Sequence, residues 1–411
     1  IGLHLAAFVV LALACHLELA ASRPPAESLT EFYLWLSAGG AAGGLHNALV
    51  APLIFVNPFE YPLAALSACL LLPGAFTEAR EAVRSTARRV LAYAAVGLPL
   101  ILVVGLVMLV QHYSAQLTRD TFTRYAVIFV PPCLAAFALR RRPLRMGIAL
   151  AAVACAGPFV RFDNRVPIHL ERSFFGVHRV LYSGRERVLL SGTTNHGAQA
   201  ADAALRCEPL SYYSKRGPIG QLMAGLKTDA AKTRFGVVGL GTASMAAYAS
   251  PGQSWTFFEI NPVVERIARN PEYFTYLRDC APQARVVIGD ARLMLAAQPD
   301  SSFDVLVLDA FSSDAIPVHL LTVEALDLYF RKLAPHGILA VHVSNRYLNL
   351  APVVGATGGR AGLFSIQQTH APTNEELALS SEVALSRWVL VARGNLDLAA
   401  VGEDEIGRAH V

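Results

Sequence analysis

"RFGVVGLGTASMAAYA", residues 234–249, decides the fold of the carboxyl-terminal half. Phe235 to Val238 reads as a buried strand, Gly239-Leu240-Gly241-Thr242-Ala243 as a turn of small residues, and the remainder as a helix. A short apolar run that stops at a glycine turn fits a parallel strand covered on both faces. Small residues at such a turn let the backbone approach a ligand closely, which makes Gly239 and Gly241 candidate ligand-binding positions. The full G-x-G-x-x-G is absent, because Met245 and Ala246 stand near the place of a third glycine. A nucleoside therefore fits the pattern better than a pyrophosphate.

The same pattern repeats outward from this stretch. "WTFFEINPVVERIARN" (255–270) and "ARVVIGDARLMLAAQ" (284–298) each read as strand, turn and helix. "FDVLVLDAFSSD" (303–314) is a strand and loop, followed by a helix from Leu321 to Leu333. "GILAVHVSN" (337–345) and "SRWVLVAR" (386–393) are later strands, and 219–227 suits a short helix. Strands alternating with helices predict a parallel, doubly wound, Rossmann-like sheet.

In such sheets the carboxyl ends of the strands carry the ligand site. Glu259 ends its strand about 20 residues after the glycine turn, where an acid can accept both ribose hydroxyls. Asp290, in "IGDA", can accept from an adenine amine while the backbone beside Ala291 reads the ring. For both acids a helix cap or turn is the alternative role. Glycine turn, Glu and Asp at three successive strand ends form the usual layout for S-adenosylmethionine. Asp309 ends the next strand and is the candidate general base, with the capping of the next element as its alternative.

Ahead of this sheet, "SFFGVHRVLYSG" (173–184) and "RERVLLSGTTNHGAQ" (185–199) read as two strands around a Ser183-Gly184 turn. His196 either orients its neighbour Gln199, touches substrate or serves the local turn. Tyr212 and Tyr213 form an aromatic wall beside a cation or simply pack. His319 stands at a helix start, and His342 reads as a satisfied histidine within a strand.

Composition separates the two halves of the 411 residues. The whole is 54% hydrophobic and 16% charged, too apolar for an ordinary globular chain, and the excess lies in the first ~160 residues. Apolar segments at about 1–20, 30–55, 60–77, 88–111, 122–139 and 143–160 are long enough to be read as membrane spans. His16, Glu18, His46, Asn47 and Glu60 are polar residues within them, read as functional groups or as interhelical hydrogen-bond partners. Basic loops around Arg80, Arg84, Arg88 and Arg89, and around Arg140 to Arg145, set the orientation. The expectation is a multi-pass inner-membrane protein with its carboxyl-terminal domain in the cytoplasm. The net charge of +4 is modest and does not imply nucleic acid. The six cysteines are scattered, without C-x-x-C or a Cys/His cluster, so neither a disulfide framework nor a metal site is expected, and a reducing compartment fits.

The expected divisions are a helical membrane region over 1–160 that lacks its true amino terminus, and a small β-hairpin domain with linker over 161–218. A Rossmann-like domain covers 219–402. The tail 403–411, ending "EIGRAHV", fits no element and is set aside as an artefact.

"VVGLGTAS", "FFEINP", "VVIGDAR", "LDAFSSDAIPVHLLT" and "GILAVHVSNRY" together resemble the spermidine synthase-like domains that bacteria fuse to transmembrane segments. "SFFGVHRV", "SGTTNHGAQ", "PLSYYSKRGPIGQ", "FYLWLSAGGAAGG" and "NPFEYPLA" extend the likeness over most of the chain. The resemblance implies aminopropyl transfer from decarboxylated S-adenosylmethionine to a small, putrescine-like amine, and possible association as a homodimer. It implies that Gln199 contacts the nucleoside donor, Glu259 the ribose and Asp290 the adenine. It gives Asp309 the catalytic role, and places Asp314 and Tyr213 in the amine pocket. Two features depart from the family. The glycine turn holds Leu240, Thr242, Ala243 and Ser244, with no acid to grip an aminopropyl ammonium. The Tyr-His-Glu of the amine pocket is Tyr213-Ser214-Lys215 here. Methyl transfer from intact S-adenosylmethionine, and a non-catalytic nucleoside- or polyamine-binding module for transport or sensing, therefore stand as alternatives.

Overall fold

The computed structural model describes residues 2–70, 86–112, 121–156, 165–192, 194–226, 232–311, 316–345 and 348–398. The chain divides into two compact units, Ile1–Asn164 and Arg165–Val411.

The first unit is helical, with Gly2–Ala21, Leu29–Leu45, Ala51–Ile54, Glu60–Leu70, Thr86–His112, Thr121–Phe137 and Pro143–Ala156. A small cluster of Val103, Ile128 and Val153 is buried within it. Among the described residues no helix is long and apolar enough to cross a membrane. This corrects the expected membrane bundle, and with it the multi-pass placement in an inner membrane. Two of the apolar stretches read as spans carry local irregularities. The segment over 30–55 is divided by a π-turn at His46–Val50, which takes up two of the polar residues singled out above, His46 and Asn47. Pro131 and Pro132 lie inside Thr121–Phe137. Arg80, Arg84 and the tail 403–411 lie outside the described residues.

The second unit contains two sheets. β1 (Val166–Ser173), β2 (Gly176–Tyr182), β3 (Glu186–Ser191) and β4 (Thr194–Ala200) form an antiparallel meander in the order 1-2-3-4. The expected hairpin is its centre: Gly184, at φ +84°, turns β2 into β3. Sequence alone did not show the two outer pairings.

The larger sheet has β5 (Arg234–Val238), β6 (Ser254–Glu259), β7 (Arg285–Ile288), β8 (Phe303–Leu308), β9 (Leu333–His342), β10 (Phe364–His370) and β11 (Ser386–Ala392). Its order is 10-11-9-8-5-6-7. β5 to β9 run parallel, while β11 is antiparallel to both β9 and β10. Alternate side chains enter two cores. Val237, Phe257, Val307 and Ala340 face Ile219, Leu222, Val264 and Ala268 on one side. Val238, Phe258, Leu308 and Val341 face Leu295, Leu326, Tyr329 and Val354 on the other. Burial on both faces is why these strands read as continuous apolar runs.

One local expectation changes. After the glycine turn the chain forms only a five-residue 3-10 turn, Ser244–Tyr248, and no α-helix. Ala243 precedes it in the left-handed conformation, at φ +65°. Without a long helix there is no sizeable dipole to hold a phosphate, in keeping with the preference for a nucleoside.

Candidate active site

The order of the large sheet puts its switch point between β5 and β8, where connections leave in opposite directions. Ligands of open α/β sheets bind above such a point. A cavity of about 590 Å³ lies there, within the range of small-molecule sites. Gly239, Gly241, Glu259, Asp290, Ala291, Asp309 and His196 all line it, so the structure brings together most of the residues singled out from sequence.

The glycines are held to their positions by protein contacts. Gly239 has φ +94° and Gly241 φ +53°. A Cβ on Gly239 would collide with the Asp309 carbonyl oxygen, and one on Gly241 with that of His196. The turn is thus pressed between the Asp309 loop and the small sheet. The Asp309 amide donates to Val238 O at 2.8 Å, which locks the two strand ends together.

Glu259 is 8% exposed and accepts from the amides of Leu240 (3.0 Å) and Asn261 (2.8 Å). Burial raises its pKa, and these amide bonds oppose the rise. Asp290 caps the helix Ala291–Ala296 by accepting from Leu293 N at 3.1 Å, and its other oxygen lies 3.3 Å from His319 Nε2. It is both a cap and part of the cavity wall. His319 also lines the cavity.

Asp309 is 9% exposed at the end of β8, and both of its oxygens are engaged. The Tyr213 hydroxyl donates to Oδ2. His342 Nδ1 lies 2.6 Å from Oδ1. Burial first, then the nearby Asp309 charge, holds the hydroxyls of Tyr212 and Tyr213 well above the ordinary phenol range, so both keep their protons.

Two expected participants are placed elsewhere or lie out of view. Gln199 is buried away from the cavity lining, donating to Arg206 O (2.7 Å) and Thr275 Oγ1 (3.1 Å) and accepting from Thr275 N (2.8 Å). Asp314 lies outside the described residues. Lys215 does not line the cavity; it pairs with Glu208 at 2.5 Å on the exposed side. Among the described residues no group of three or more His, Cys, Asp and Glu side chains could hold a metal ion.

Tyr212, His342 and Arg387 also line the cavity; sequence reading missed Arg387 and gave His342 only a structural place. His342 carried a usable signal: it closes an apolar strand, as Asp309 follows one. It also missed a disulfide, Cys207–Cys280, which corrects the expectation of free cysteines. The two lie 73 residues apart, with no local spacing to reveal them. Their segments meet because Gln199 and Tyr276 bridge β4, the loop after it and the turn Tyr276–Cys280.

No family model matches the chain. A polyamine aminopropyltransferase of Vibrio vulnificus (strain CMCP6) is 32% identical over 205 residues, covering 47% of this chain and 65% of the relative. Over that stretch the chain is similar to a polyamine aminopropyltransferase. The match spans less than two thirds of that relative's length, and membrane fusion, the other part of the resemblance, is not supported. Among solved structures, a spermidine synthase of Thermotoga maritima is 13% identical, with 56% of this chain and 75% of that one covered at a TM-score of 0.41. A probable spermidine synthase of Corynebacterium glutamicum ATCC 13032 is 16% identical, with 59% and 86% covered at 0.43.

Proposed function

We propose that the second unit is a transferase of the aminopropyltransferase type, which moves an alkyl group from a sulfonium nucleoside to a small amine. The observation that carries this reading is the convergence of Glu259, Asp290 and Asp309 on one cavity at the switch point. Glu259 would accept the ribose hydroxyls, and Asp290 with the backbone at Ala291 would read the base. Alkyl amines are protonated near neutrality, so a nucleophile must first be made by removing a proton. Asp309 is the carboxylate that drives this removal, and Tyr213 fixes its orientation. The similarity to the Vibrio vulnificus aminopropyltransferase supports decarboxylated S-adenosylmethionine as donor and a putrescine-like acceptor.

One observation favours a second reading, methyl transfer from intact S-adenosylmethionine. The glycine turn offers no acid, and Arg387 lines the cavity with a buried Nε that has no hydrogen-bond partner among the described residues. A guanidinium there suits a donor that keeps its carboxylate.

The deciding experiment supplies each donor with a panel of amines and identifies the nucleoside product by mass spectrometry. Methylthioadenosine that disappears in Asp309→Asn supports aminopropyl transfer. S-adenosylhomocysteine supports the second reading. Nucleoside binding without either product defeats both and leaves a binding module.

A further inference from the structure

Sequence alone places His342 as a satisfied strand histidine, and the chemistry above leaves it unused. The fold gives it a specific setting. It is the last residue of β9, which pairs with β8 so that Leu308 is opposite Val341, and Asp309 therefore falls beside His342. The imidazole is 3% exposed, with Nδ1 2.6 Å from Asp309 Oδ1. A carboxylate only accepts, so His342 presents Nδ1–H and carries its lone pair on Nε2. Nε2 is buried without a hydrogen-bond partner among the described residues, and His342 lines the cavity. Leaving such a nitrogen unpartnered costs stability, and native folds keep few of them without a role. The ring lies between Tyr212, with centroids 4.3 Å apart at 22°, and Trp388, at 4.7 Å and 27°.

We propose that His342 Nε2 is the atom that takes the acceptor's proton, and that Asp309 acts through His342 instead of on the substrate. This rests on the transferase reading and names the proton acceptor within it. The ammonium of the acceptor gives a proton to Nε2, leaving a neutral amine and an imidazolium. Asp309 offsets the new charge across Nδ1–H, and the faces of Tyr212 and Trp388 attract it. The amine lone pair then forms the N–C bond as the donor's C–S bond breaks. The bonding pair goes to sulfur, so the sulfonium becomes a neutral thioether and the positive charge passes to the new ammonium. The proton on His342 leaves to solvent through the cavity mouth.

Other titratable groups face this ring. They are Asp309 after β8, Tyr212 and Tyr213 from the turn Ser211–Tyr213, and Arg387 beside Trp388 on β11, while His196 lines the same cavity. The two tyrosines stay protonated, and arginine stays charged across the working range. That leaves the imidazole as the proton acceptor that the geometry offers on the Asp309 side.

The test compares wild type with His342→Gln, which keeps an N–H donor for Asp309. The rate of nucleoside product formation is followed across roughly pH 5.5–9, over the range where imidazole changes charge. Methylthioadenosine binding by calorimetry serves as the folding control. The expected result is a loss of about 10²–10⁴ in kcat. The acid-side fall in rate vanishes, and nucleoside affinity stays within about twofold, because the proposal gives the nucleoside to Glu259 and Asp290. A variant that keeps kcat within about threefold of wild type with the same acid limb overturns the proposal. A wild-type chain that makes neither product defeats the transferase reading itself, a different failure. The imidazole nitrogen-15 spectrum then judges the dyad alone: Nδ1–H with a bare Nε2 upholds it, and an Nε2–H tautomer refutes it.

Discussion

Breaking the Cys207–Cys280 bridge tests the most specific feature that the fold adds to the sequence. The bridge closes a loop across 73 residues. In the chain-entropy treatment a loop of that length restricts the unfolded state by about 4 kcal/mol. For a domain of this size each kcal/mol moves Tm by about 2–4 °C, so full loss predicts a fall of roughly 10–15 °C. In the folded chain Tyr276 still joins the same segments through Ala198 O (3.0 Å) and Glu208 O (2.8 Å), so the reduced protein should keep its fold. The assay is thermal unfolding of wild type, with and without reductant, beside the double variant Cys207→Ser and Cys280→Ser. Thiol titration runs in parallel, and reduction should release two thiols from wild type that the double variant lacks. Reductant should leave the double variant's Tm unchanged. A wild type whose Tm moves by less than about 2 °C on reduction, while those thiols appear, would refute the entropic reasoning. Thiols that are already free without reductant would refute the bridge.

Gly239→Ala forces a side chain onto a residue at φ +94° and against the Asp309 carbonyl. It should cost about 1–3 kcal/mol in urea unfolding and displace Asp309, so activity falls in the fraction that remains folded. Gln199→Ala removes a buried amide that makes three hydrogen bonds. Stability should drop by about 2–3 kcal/mol while methylthioadenosine affinity is kept, and an affinity loss with intact stability would return Gln199 to the donor site. His178 bonds Asn261 Nδ2 at 2.8 Å, and burial lowers its pKa from 6.5 to about 4. The unfolded chain binds this proton more readily, so its contribution is fully present above 6.5 and is lost as pH falls toward about 4. His178→Gln should flatten unfolding free energy across that window, and an unchanged pH slope would show that the histidine titrates normally. Glu376 is also shifted downward, from a different cause: burial works to raise its pKa, but hydrogen bonds from Ser214, Thr373 and His370 lower it to about 2. Glu376→Gln should remove stability at neutral pH and narrow the gap to wild type as pH falls below 4.5.

What the sequence determined by itself was the sheet and the acids around its open end. Period and punctuation mark β5 to β9, because parallel strands buried on both faces must be apolar throughout and must stop at turns. Once strands lie parallel in one sheet, their carboxyl ends are neighbours whatever the details, so Gly239, Glu259, Asp290 and Asp309 had to converge. The apolar half shows the limit of the same logic. Hydropathy sums over a window and registers neither the π-turn at His46–Val50 nor the prolines inside Thr121–Phe137. Only the tertiary structure decided which polar groups meet. Gln199 turns to Thr275, Lys215 to Glu208 and His342 to Asp309. Each of those pairings depends on strand register and on side-chain direction. A shift of one residue would send the same side chain to the opposite face, which no local pattern in the chain encodes.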